Sequence, residues 1–350
     1  MYIARVEEGS AAVRARLKDV AERAGVSIKT VSNVVNGYLH VRADTRDRVE
    51  RAIRELQYRP NLSARSLRAA RSGVVALALP ELDVPYFAEL ARHIVAAAET
   101  RGWTVLIDQT EGSRERERIV VDGIRRELID GLIFSPLALT ASDLAERSDA
   151  TPMVLLGERI GGDDLVADHV VVDNVAAART AVTHLVDLGR RRIAAIGAQR
   201  IASGVTARLR LRGYRAALRK AGLPQDPSLV RQADAYHRAD GAAAMAALLE
   251  LPEPPDAVFC FNDLLALGAL RTLLQRGVRV PEDVALVGFD DIEDGRYATP
   301  TLSTIRPDKA EIARLAIELL ADRLAGDRDT APRELVAGHD LVTRESTASR

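Results

Sequence analysis

The sequence is poor in cysteine and in aromatic residues. Of its 350 residues, one is cysteine and 4% are Phe, Trp or Tyr. A single thiol excludes an intramolecular disulfide framework and a cysteine-cluster metal site, and so few rings argue against a protein built on aromatic stacking platforms. No stretch of about 18 uninterrupted apolar residues predicts a membrane span. Residues 1–16 lack the apolar core of a signal peptide, so we expect a cytoplasmic protein.

Metal and cofactor sites have no support in the sequence either. The histidines show no metal-ligand spacing, and His184 lies on a predicted amphipathic helix, where a structural role is favoured. Cys260 lies inside an apolar run, where a thiol acts as a small hydrophobe. We therefore expect neither a cofactor nor a metal.

Charge is unevenly distributed along the chain. The net charge is −1, yet residues 1–73 carry 15 Lys and Arg against 8 Asp and Glu, and the remainder carries 34 against 42. A basic N-terminal part on an acidic body indicates a polyanionic partner for the basic part alone. An uneven surface without a role is the alternative.

Residues 17–36 show the spacing of two short helices joined by a tight turn. Apolar residues from Leu17 to Ala24 recur at i, i+3, i+4 and i+7, which is typical of one helix face. Gly25 ends this helix, and Ser27 is the expected N-cap of the next one. The turn signal Asn36-Gly37 ends the second helix. This arrangement predicts a helix-turn-helix.

The second helix of this pair carries side chains suited to duplex DNA. In a helix-turn-helix, the N-terminal residues of the second helix contact base edges in the major groove. Lys29 can donate to guanine, Asn33 can pair with an adenine edge, and Ile28 can contact a thymine methyl. Hydroxyls suited to phosphates belong to Ser27, Thr30 and Ser32. The alternative is an ordinary helical hairpin with a solvated basic face.

This segment resembles the headpiece of the lactose/galactose repressor (LacI/GalR) family. The likeness continues through Thr45-Arg46, residues 54–58, Asn61 and residues 64–67, and it covers nearly the whole chain. Asn36 completes the DNA contacts expected in the headpiece.

The sequence departs from the family at the start of the third helix, expected over residues 44–57. Arg42 stands where many relatives have Ser or a similar N-cap. We therefore expect a weaker cap, or Asp44 in its place.

The resemblance also gives residues 62–68 a role. Similar proteins fold this stretch into a hinge helix in the minor groove, where a leucine wedges between base pairs at the cost of unstacking them. Leu67 is that leucine here, with Ala64 near its partner across the dimer axis. Arg65, Arg68 and Arg71 are then expected near phosphates. The alternative is that Leu67 packs on the body.

From Val74 onward, apolar runs alternate with amphipathic helices. This alternation predicts parallel sheets covered on both faces. The number of strands favours two doubly wound lobes, with a ligand at the carboxyl ends of the strands. The fold class is therefore α/β, with an N-terminal helix-turn-helix headpiece and a two-lobed core that resembles the periplasmic-binding-protein fold. The predicted strands are 74–79, 104–107, 131–134, 153–156, 170–172, 192–196, 257–261 and 284–289. The predicted helices are 86–101, 113–127, 174–188, 208–221, 263–276 and 308–325.

These patterns divide the chain into four parts. They are a flexible tail (1–15), the headpiece (16–60), the hinge (61–72) and the effector-binding core (73–345). Within the core we expect an N-lobe of 73–173 and 304–328, and a C-lobe of 174–303 and 329–345.

Polar and aromatic residues at strand ends predict an effector site between the lobes. The resemblance implies that Arg208 reaches the ligand, and Asn262 and Asp290 lie at the tips of strands. The other expected contacts are Tyr86, Phe87, Ser135, Glu158 and Tyr236. Three of them have a stated structural alternative: Arg208 could form a helix-capping salt bridge, Asn262 could turn the chain, and Asp290 could cap the next helix. We expect either Asp290 or Asp291 to form that cap.

Three functions remain open from the sequence. We expect a ligand-responsive, sequence-specific transcriptional regulator that binds a pseudo-palindromic DNA operator as a homodimer. Its small-molecule effector is expected to be a sugar or oligosaccharide rather than a purine, because Asp290, Arg208 and Asn262 resemble the sugar-binding set of the family. Asp, Asn and Arg side chains can make bidentate hydrogen bonds to vicinal hydroxyls. The second hypothesis is a sugar-binding transport protein without a DNA role. The third is an enzyme, which we do not expect because no phosphate-binding or nucleophile motif is present.

Overall fold

The computed structural model describes residues 15–35, 38, 40–58, 71–123, 128–160, 165–199, 204–327 and 330–348. The chain divides into two compact units, Met1–Ser72 and Gly73–Arg350. In the described residues, no helix is long and apolar enough to cross a membrane.

The smaller unit contains three helices around a small apolar core. They are α1 (Leu17–Ala24), α2 (Ile28–Val35) and α3 (Ala43–Glu55). Val20, Val31 and Val49, one from each helix, are fully buried in this core. Gly25 ends α1 with a φ of 65°, a conformation that glycine adopts without steric cost. The two helices and the turn predicted for residues 17–35 are therefore present.

The start of α3 lacks the cap that a serine would provide. Its N-cap is Arg42, which makes no capping hydrogen bond, in line with the missing Ser. Asp44 lies inside the first turn and accepts a hydrogen bond from the Thr45 hydroxyl at 3.4 Å. It does not take over the cap.

The larger unit is built on two six-stranded sheets. The first contains β1 (Val74–Leu79), β2 (Thr104–Gln109), β3 (Gly131–Phe134), β4 (Met153–Leu156), β5 (Asp168–Val172) and β11 (Glu334–Ala337). The second contains β6 (Ile193–Ala198), β7 (Val230–Gln232), β8 (Ala257–Cys260), β9 (Ala285–Phe289), β10 (Ser303–Pro307) and β12 (His339–Val342). The strand orders are β11-β5-β4-β3-β1-β2 and β12-β10-β9-β8-β6-β7. All pairs are parallel except β10 with β12.

Helices connect these parallel strands. They are α4 (Pro85–Glu99), α5 (Arg114–Val121), α6 (Ala141–Ala145), α7 (Asn174–Asp187), α8 (Val205–Lys220), α9 (Arg238–Leu249), α10 (Asp263–Gln275), α11 (Glu293–Tyr297) and α12 (Lys309–Ala325). A 3₁₀ turn lies at Pro227–Leu229. Strands β3, β4, β6, β8 and β9 are buried along their whole length, as their continuous apolar runs predict for strands covered on both faces.

The chain passes between the two sheets at points that differ from those expected. Residues 303–307 form β10 of the second sheet, although 304–328 was expected in the N-lobe. Residues 334–337 form β11 of the first sheet, although 329–345 was expected in the C-lobe. Both boundaries were wrong because β10 lacks a continuous apolar run, and a single residue, Gly338, separates β11 from β12.

Helix α9 was not predicted, and its packing explains why. The helix is rich in alanine and has no distinct apolar stripe. It packs on α10 through glycines instead: a Cβ at Gly241 would lie 2.0 Å from the Leu265 carbonyl oxygen, and one at Gly268 would lie 1.9 Å from that of Arg238. Such backbone approach leaves no periodic signal of large apolar residues.

Candidate functional sites: a helix-turn-helix face and a cavity between two sheets

Helix α2 exposes two of the three residues expected to contact bases. The Ser27 hydroxyl accepts a hydrogen bond from the Thr30 backbone N–H at 3.1 Å, which makes it the predicted N-cap. Val31 and Val34 face the core, so Ile28, with 42% of its surface exposed, and Lys29 lie on the outer face. Ile28 therefore presents an apolar group and Lys29 a cation, beside the exposed hydroxyl of Ser27.

The remaining headpiece residues are less exposed or lie outside the described part. Asn33, Thr30 and Ser32 are half-buried. The Arg46 guanidinium donates to the Tyr38 carbonyl oxygen at 2.8 Å and so ties α3 to the segment after α2. The predicted contacts that lie outside the described residues are Asn36, Ala64, Arg65, Leu67 and Arg68.

A cavity of about 210 Å³ lies in the larger unit, beside the carboxyl ends of strands from both sheets. Seven of the eight predicted effector residues line it: Tyr86, Phe87, Ser135, Glu158, Tyr236, Asn262 and Asp290. Arg208 does not. It lies on the exposed face of α8, and Arg210 lines the cavity instead.

Arg210 is fixed by contacts from three elements. Its Nε donates to Asn174 Oδ1 at 2.8 Å, its Nη1 donates to the Phe261 carbonyl oxygen, and its Cζ lies 3.5 Å from the centroid of the Phe289 ring. A guanidinium held in this way keeps one orientation, because the aromatic face and both acceptors constrain its plane.

Asp290 is a buried carboxylate without a hydrogen-bond donor. It is 8% exposed, and no described side chain or backbone group donates a hydrogen bond to its carboxylate. Burial raises its pKa to about 7, although the nearby charges of Arg210 and Lys309 oppose the shift. Its φ is 120°, a conformation that costs an L residue free energy.

A buried ion pair from the first lobe holds this strained backbone. Lys309 Nζ lies 2.7 Å from Glu89 Oε2 and donates to the carbonyl oxygens of Asp290 at 2.5 Å and Asp291 at 3.2 Å. Glu89 and Lys309 lie on α4 and α12, which pack on the first sheet, whereas Asp290 follows β9 of the second. The position of Asp290 therefore depends on contact between the lobes.

Neither aspartate after β9 caps the next helix. The N-cap of α11 is Ile292. The Asp291 carboxylate accepts hydrogen bonds from Arg344 at 2.5 Å and Arg296 at 3.0 Å. Burial favours a higher pKa for Asp291, but these two guanidinium groups hold its pKa below the ordinary value.

Asn262 has the structural role that the sequence left as an alternative. Its Oδ1 accepts a hydrogen bond from the Leu265 N–H at 2.8 Å, which caps α10. Its Nδ2 donates to the Tyr236 carbonyl oxygen at 3.0 Å. Because Asn262 also lines the cavity, the cap fixes the orientation of its amide there.

Two further carboxylates of the first lobe reach across the cleft. Both oxygens of Glu158 accept from the Thr206 N–H, at 3.1 and 3.2 Å, and burial raises the pKa of Glu158. Glu81 Oε2 lies 2.8 Å from His237 Nε2. These contacts hold the lobes together in the conformation that forms the cavity.

Two family descriptions match the sequence of this chain. Residues 16–61 match bacterial regulatory proteins of the lacI family, and residues 182–347 match the periplasmic binding protein-like domain. The transcriptional repressor CytR of Escherichia coli strain K12 is 36% identical over 335 residues, which are 95% of this chain and 96% of that repressor. This chain belongs to the LacI family.

Solved structures of LacI-family regulators share its fold. The complex of the transcriptional regulator CelR with cellobiose is 34% identical, with a TM-score of 0.69 over 95% of this chain and 100% of that one. The lac repressor dimer bound to operator and the anti-inducer ONPF is 29% identical, with a TM-score of 0.83 over 96% and 100% of the two chains. The LacI-family chain is accordingly a DNA-binding transcriptional repressor with a helix-turn-helix headpiece and a two-domain core.

The sequence of this LacI-family repressor contains signals for some of the cavity residues that the sequence analysis did not predict. Asn174 follows β5 directly, as Asn262 and Asp290 follow their own strands, so the same rule would have found it. Arg210 could not be separated from Arg208 by pattern alone, because Arg recurs at 208, 210 and 212. Glu81 and His237 meet only in the fold, since 156 positions separate them.

Proposed function

We propose that this LacI-family repressor binds a pseudo-palindromic operator as a homodimer and that a sugar held between its lobes releases or tightens that binding. The observation that carries the effector half is the cavity, where Asp290, Arg210 and Asn262 converge. A carboxylate, a guanidinium and an amide can each bond two neighbouring hydroxyls of a sugar ring. Tyr86, Phe87 and Tyr236 provide faces for the apolar side of the ring.

The DNA half of the proposal rests on α2. Ile28, Lys29 and Asn33 read base edges in the major groove, and Ser27, Thr30, Ser32 and Asn36 position the helix on the phosphates or beside them. We further propose that Ala64, Arg65, Leu67 and Arg68 act at the minor groove as a hinge helix, with Leu67 as the wedge. A two-fold dimer places two such readers on the halves of an inverted repeat.

The switch follows from the contacts that cross the cleft. A sugar that bonds Asp290 and the opposite wall favours one relative angle of the lobes, because it binds one arrangement better than the other. The first strand of the core begins at Val74, directly after the hinge residues in the chain. A change in lobe angle thus alters the spacing of the two hinge segments in a dimer.

Two relatives support this proposal. The structure of CelR contains cellobiose, and that of the lac repressor is a dimer on its operator. A disaccharide and an operator-bound dimer are therefore compatible with chains of this fold and similarity.

Footprinting on genomic DNA tests the DNA half. We expect the purified chain to protect an inverted repeat, and sedimentation to show a dimer. Substituting Lys29 with Ala should relax the preference at one position of each half-site by roughly 1–3 kcal/mol. Protection without a preferred sequence, or binding by a monomer, would contradict the proposal.

A further inference from the structure

The walls of the cavity carry more negative than positive charge. Among its described lining residues, the carboxylates are those of Glu81, Glu158, Asp234 and Asp290, and the guanidinium is that of Arg210. His237 adds an imidazole paired with Glu81. Lys309, whose charge also acts on Asp290, is paired with Glu89. Among the residues that the structure describes, a bound anion would therefore meet several carboxylates and one guanidinium.

Part of the donor capacity of the cavity is already used within the protein. Arg210 donates to Asn174 and Phe261. Three other side chains each donate to a backbone carbonyl oxygen: Asn262 to Tyr236 at 3.0 Å, Asn174 to Val172 at 3.1 Å and Gln199 to Asp234 at 3.2 Å. The Tyr236 hydroxyl donates to Gly197 at 2.5 Å. These groups therefore have fewer N–H and O–H donors left for a ligand, such as a phosphate, that can only accept hydrogen bonds.

Acceptor capacity, by contrast, is left over. Asp290 is 8% exposed and receives no hydrogen bond from any residue that the structure describes. Its oxygens are not among the fully buried polar atoms that lack a partner, and the residue lines the cavity, so a ligand that donates hydrogen bonds can reach them there. The hydroxyls of Ser135 and Tyr86 can either donate or accept a hydrogen bond. They therefore do not offset the excess of acceptors in the cavity.

We propose that the cavity admits effectors that donate hydrogen bonds and carry no negative charge, namely unphosphorylated sugars and amino sugars, and rejects sugar phosphates and uronic acids. This inference rests on the proposed function, because it concerns the same site. Glu81, Glu158 and Asp234 are the specificity-determining residues, because their carboxylates line the cavity and repel an anion held there. A phosphate group would also leave the Asp290 carboxylate without a donor.

The first test needs no knowledge of the natural effector. Inorganic phosphate is titrated against chloride at constant ionic strength and pH 8, above the pKa of Asp290, and the thermal midpoint is followed. We expect no phosphate-specific stabilisation of the wild type. The variant Glu81→Gln/Glu158→Gln/Asp234→Asn should bind phosphate at least roughly ten-fold more tightly, and Arg210→Gln added to it should abolish the gain. Gln at 158 keeps an acceptor for the Thr206 N–H.

A matched variant controls for net charge. The variant Glu99→Gln/Glu115→Gln/Glu253→Gln also removes three carboxylates, but these are exposed and do not line the cavity. It should bind phosphate no better than the wild type. Arg210-dependent phosphate binding by the wild type would overturn the inference. So would a cavity variant, shown by circular dichroism to be folded, that gains no phosphate affinity relative to this control.

The second test uses matched sugars. Glucose, glucosamine, cellobiose, glucose 6-phosphate and glucuronate are titrated against the operator complex. Operator release or tightening by uncharged or amino members alone agrees with the inference, whereas a response to glucose 6-phosphate or glucuronate that requires Asp290 overturns it. If no sugar acts on the complex, the proposed sugar effector fails, and the phosphate titration still decides the charge selection.

Discussion

At the scale of single residues, Asp290 and Asp291 are adjacent carboxylates whose pKa values shift in opposite directions. Burial without a donor raises the pKa of Asp290 to about 7, whereas two guanidinium groups lower that of Asp291. A raised carboxyl pKa means that the folded state holds the proton more firmly than the unfolded state. The contribution of Asp290 to stability is therefore present at low pH and is lost as the pH rises through 7.

The first prediction follows from the direction in which the Asp290 contribution to stability changes with pH. Asp290→Asn should raise the free energy of unfolding of the unliganded protein by a few kcal/mol at pH 8, on the order expected for such a shift. The gain should shrink as the pH falls from 8 toward 4, because the wild-type carboxyl is then protonated in the folded state and no longer places a charge in the cavity wall. Urea unfolding at pH 4, 6 and 8 measures it.

Asp291→Asn is the matched control for that experiment. Its lowered pKa stabilises the folded protein above the ordinary carboxyl range, and this contribution is lost as the pH falls. Asp291→Asn should therefore destabilise the protein at pH 8. Equal effects of the two substitutions at pH 8 would contradict the opposite environments assigned to these neighbours.

The second prediction separates Arg210 from Arg208. Arg210→Gln should weaken effector binding roughly 10- to 100-fold, the range for loss of a charged hydrogen bond. Arg208→Gln should leave that affinity near the wild-type value, because Arg208 lies on the exposed face of α8. Isothermal titration of the sugar that acts on the operator complex compares the two, and the reverse ranking would restore the original prediction.

These residues also mark the limit of prediction from the sequence. Residues that directly follow a strand were found because parallel strands end at a common edge. The choice between Arg208 and Arg210 depends on the rotation of α8 about its axis. That rotation is set by Gly213, where a Cβ would lie 2.4 Å from the Val175 carbonyl oxygen of α7. A contact between helices distant in sequence is absent from the local pattern.

At the scale of secondary-structure elements, α2 depends on one side chain at its N-terminus. Its first turn contains no acidic residue, so the Ser27 hydroxyl is the cap that the structure shows for the Thr30 N–H. A cap of this kind contributes about 1 kcal/mol. The same hydroxyl is proposed to contact a phosphate, so stability and DNA binding must be measured separately.

The third prediction does so with two substitutions. Ser27→Ala should destabilise the headpiece by about 1 kcal/mol and weaken operator binding. Ser27→Asp should keep the cap, since Asp is an equally good N-cap, but its charge should repel the phosphate and weaken binding further. Thermal unfolding and operator titration measure the two effects. Wild-type operator affinity in Ser27→Asp would remove Ser27 from the DNA interface.

The elements differed in how well the sequence predicted them. The buried strands were predicted because each is a continuous apolar run, and the helices α1 and α2 because apolar residues recur with the helical period. Helix α9 and the strands β10 to β12 were not, because alanine-rich and mixed segments have no such period. Their place in the fold is fixed by glycine contacts and by hydrogen bonds from distant strands, such as those between β10 and β12.

At the scale of the whole molecule, the uneven distribution of charge matches the two candidate sites. The basic N-terminal part suits a polyanion, and the acidic body, whose cavity is itself lined by carboxylates, suits a different ligand. The proposed coupling between them requires that the proposed sugar effector bind one lobe arrangement more tightly, since a ligand with equal affinity for both shifts neither. In the described arrangement, Lys309 joins Glu89 of one lobe to the backbone of Asp290 in the other, so a change in lobe angle would act on these contacts.

One measurement tests this coupling most directly: operator affinity at fixed salt concentration, with and without saturating sugar, for the wild type and for Asp290→Asn. We predict that the sugar changes the operator Kd of the wild type at least about ten-fold, within the usual range of allosteric coupling. It should leave the Kd of Asp290→Asn unchanged, while both proteins bind the operator equally well without sugar. A sugar that binds the wild-type cavity without changing operator affinity would contradict the account.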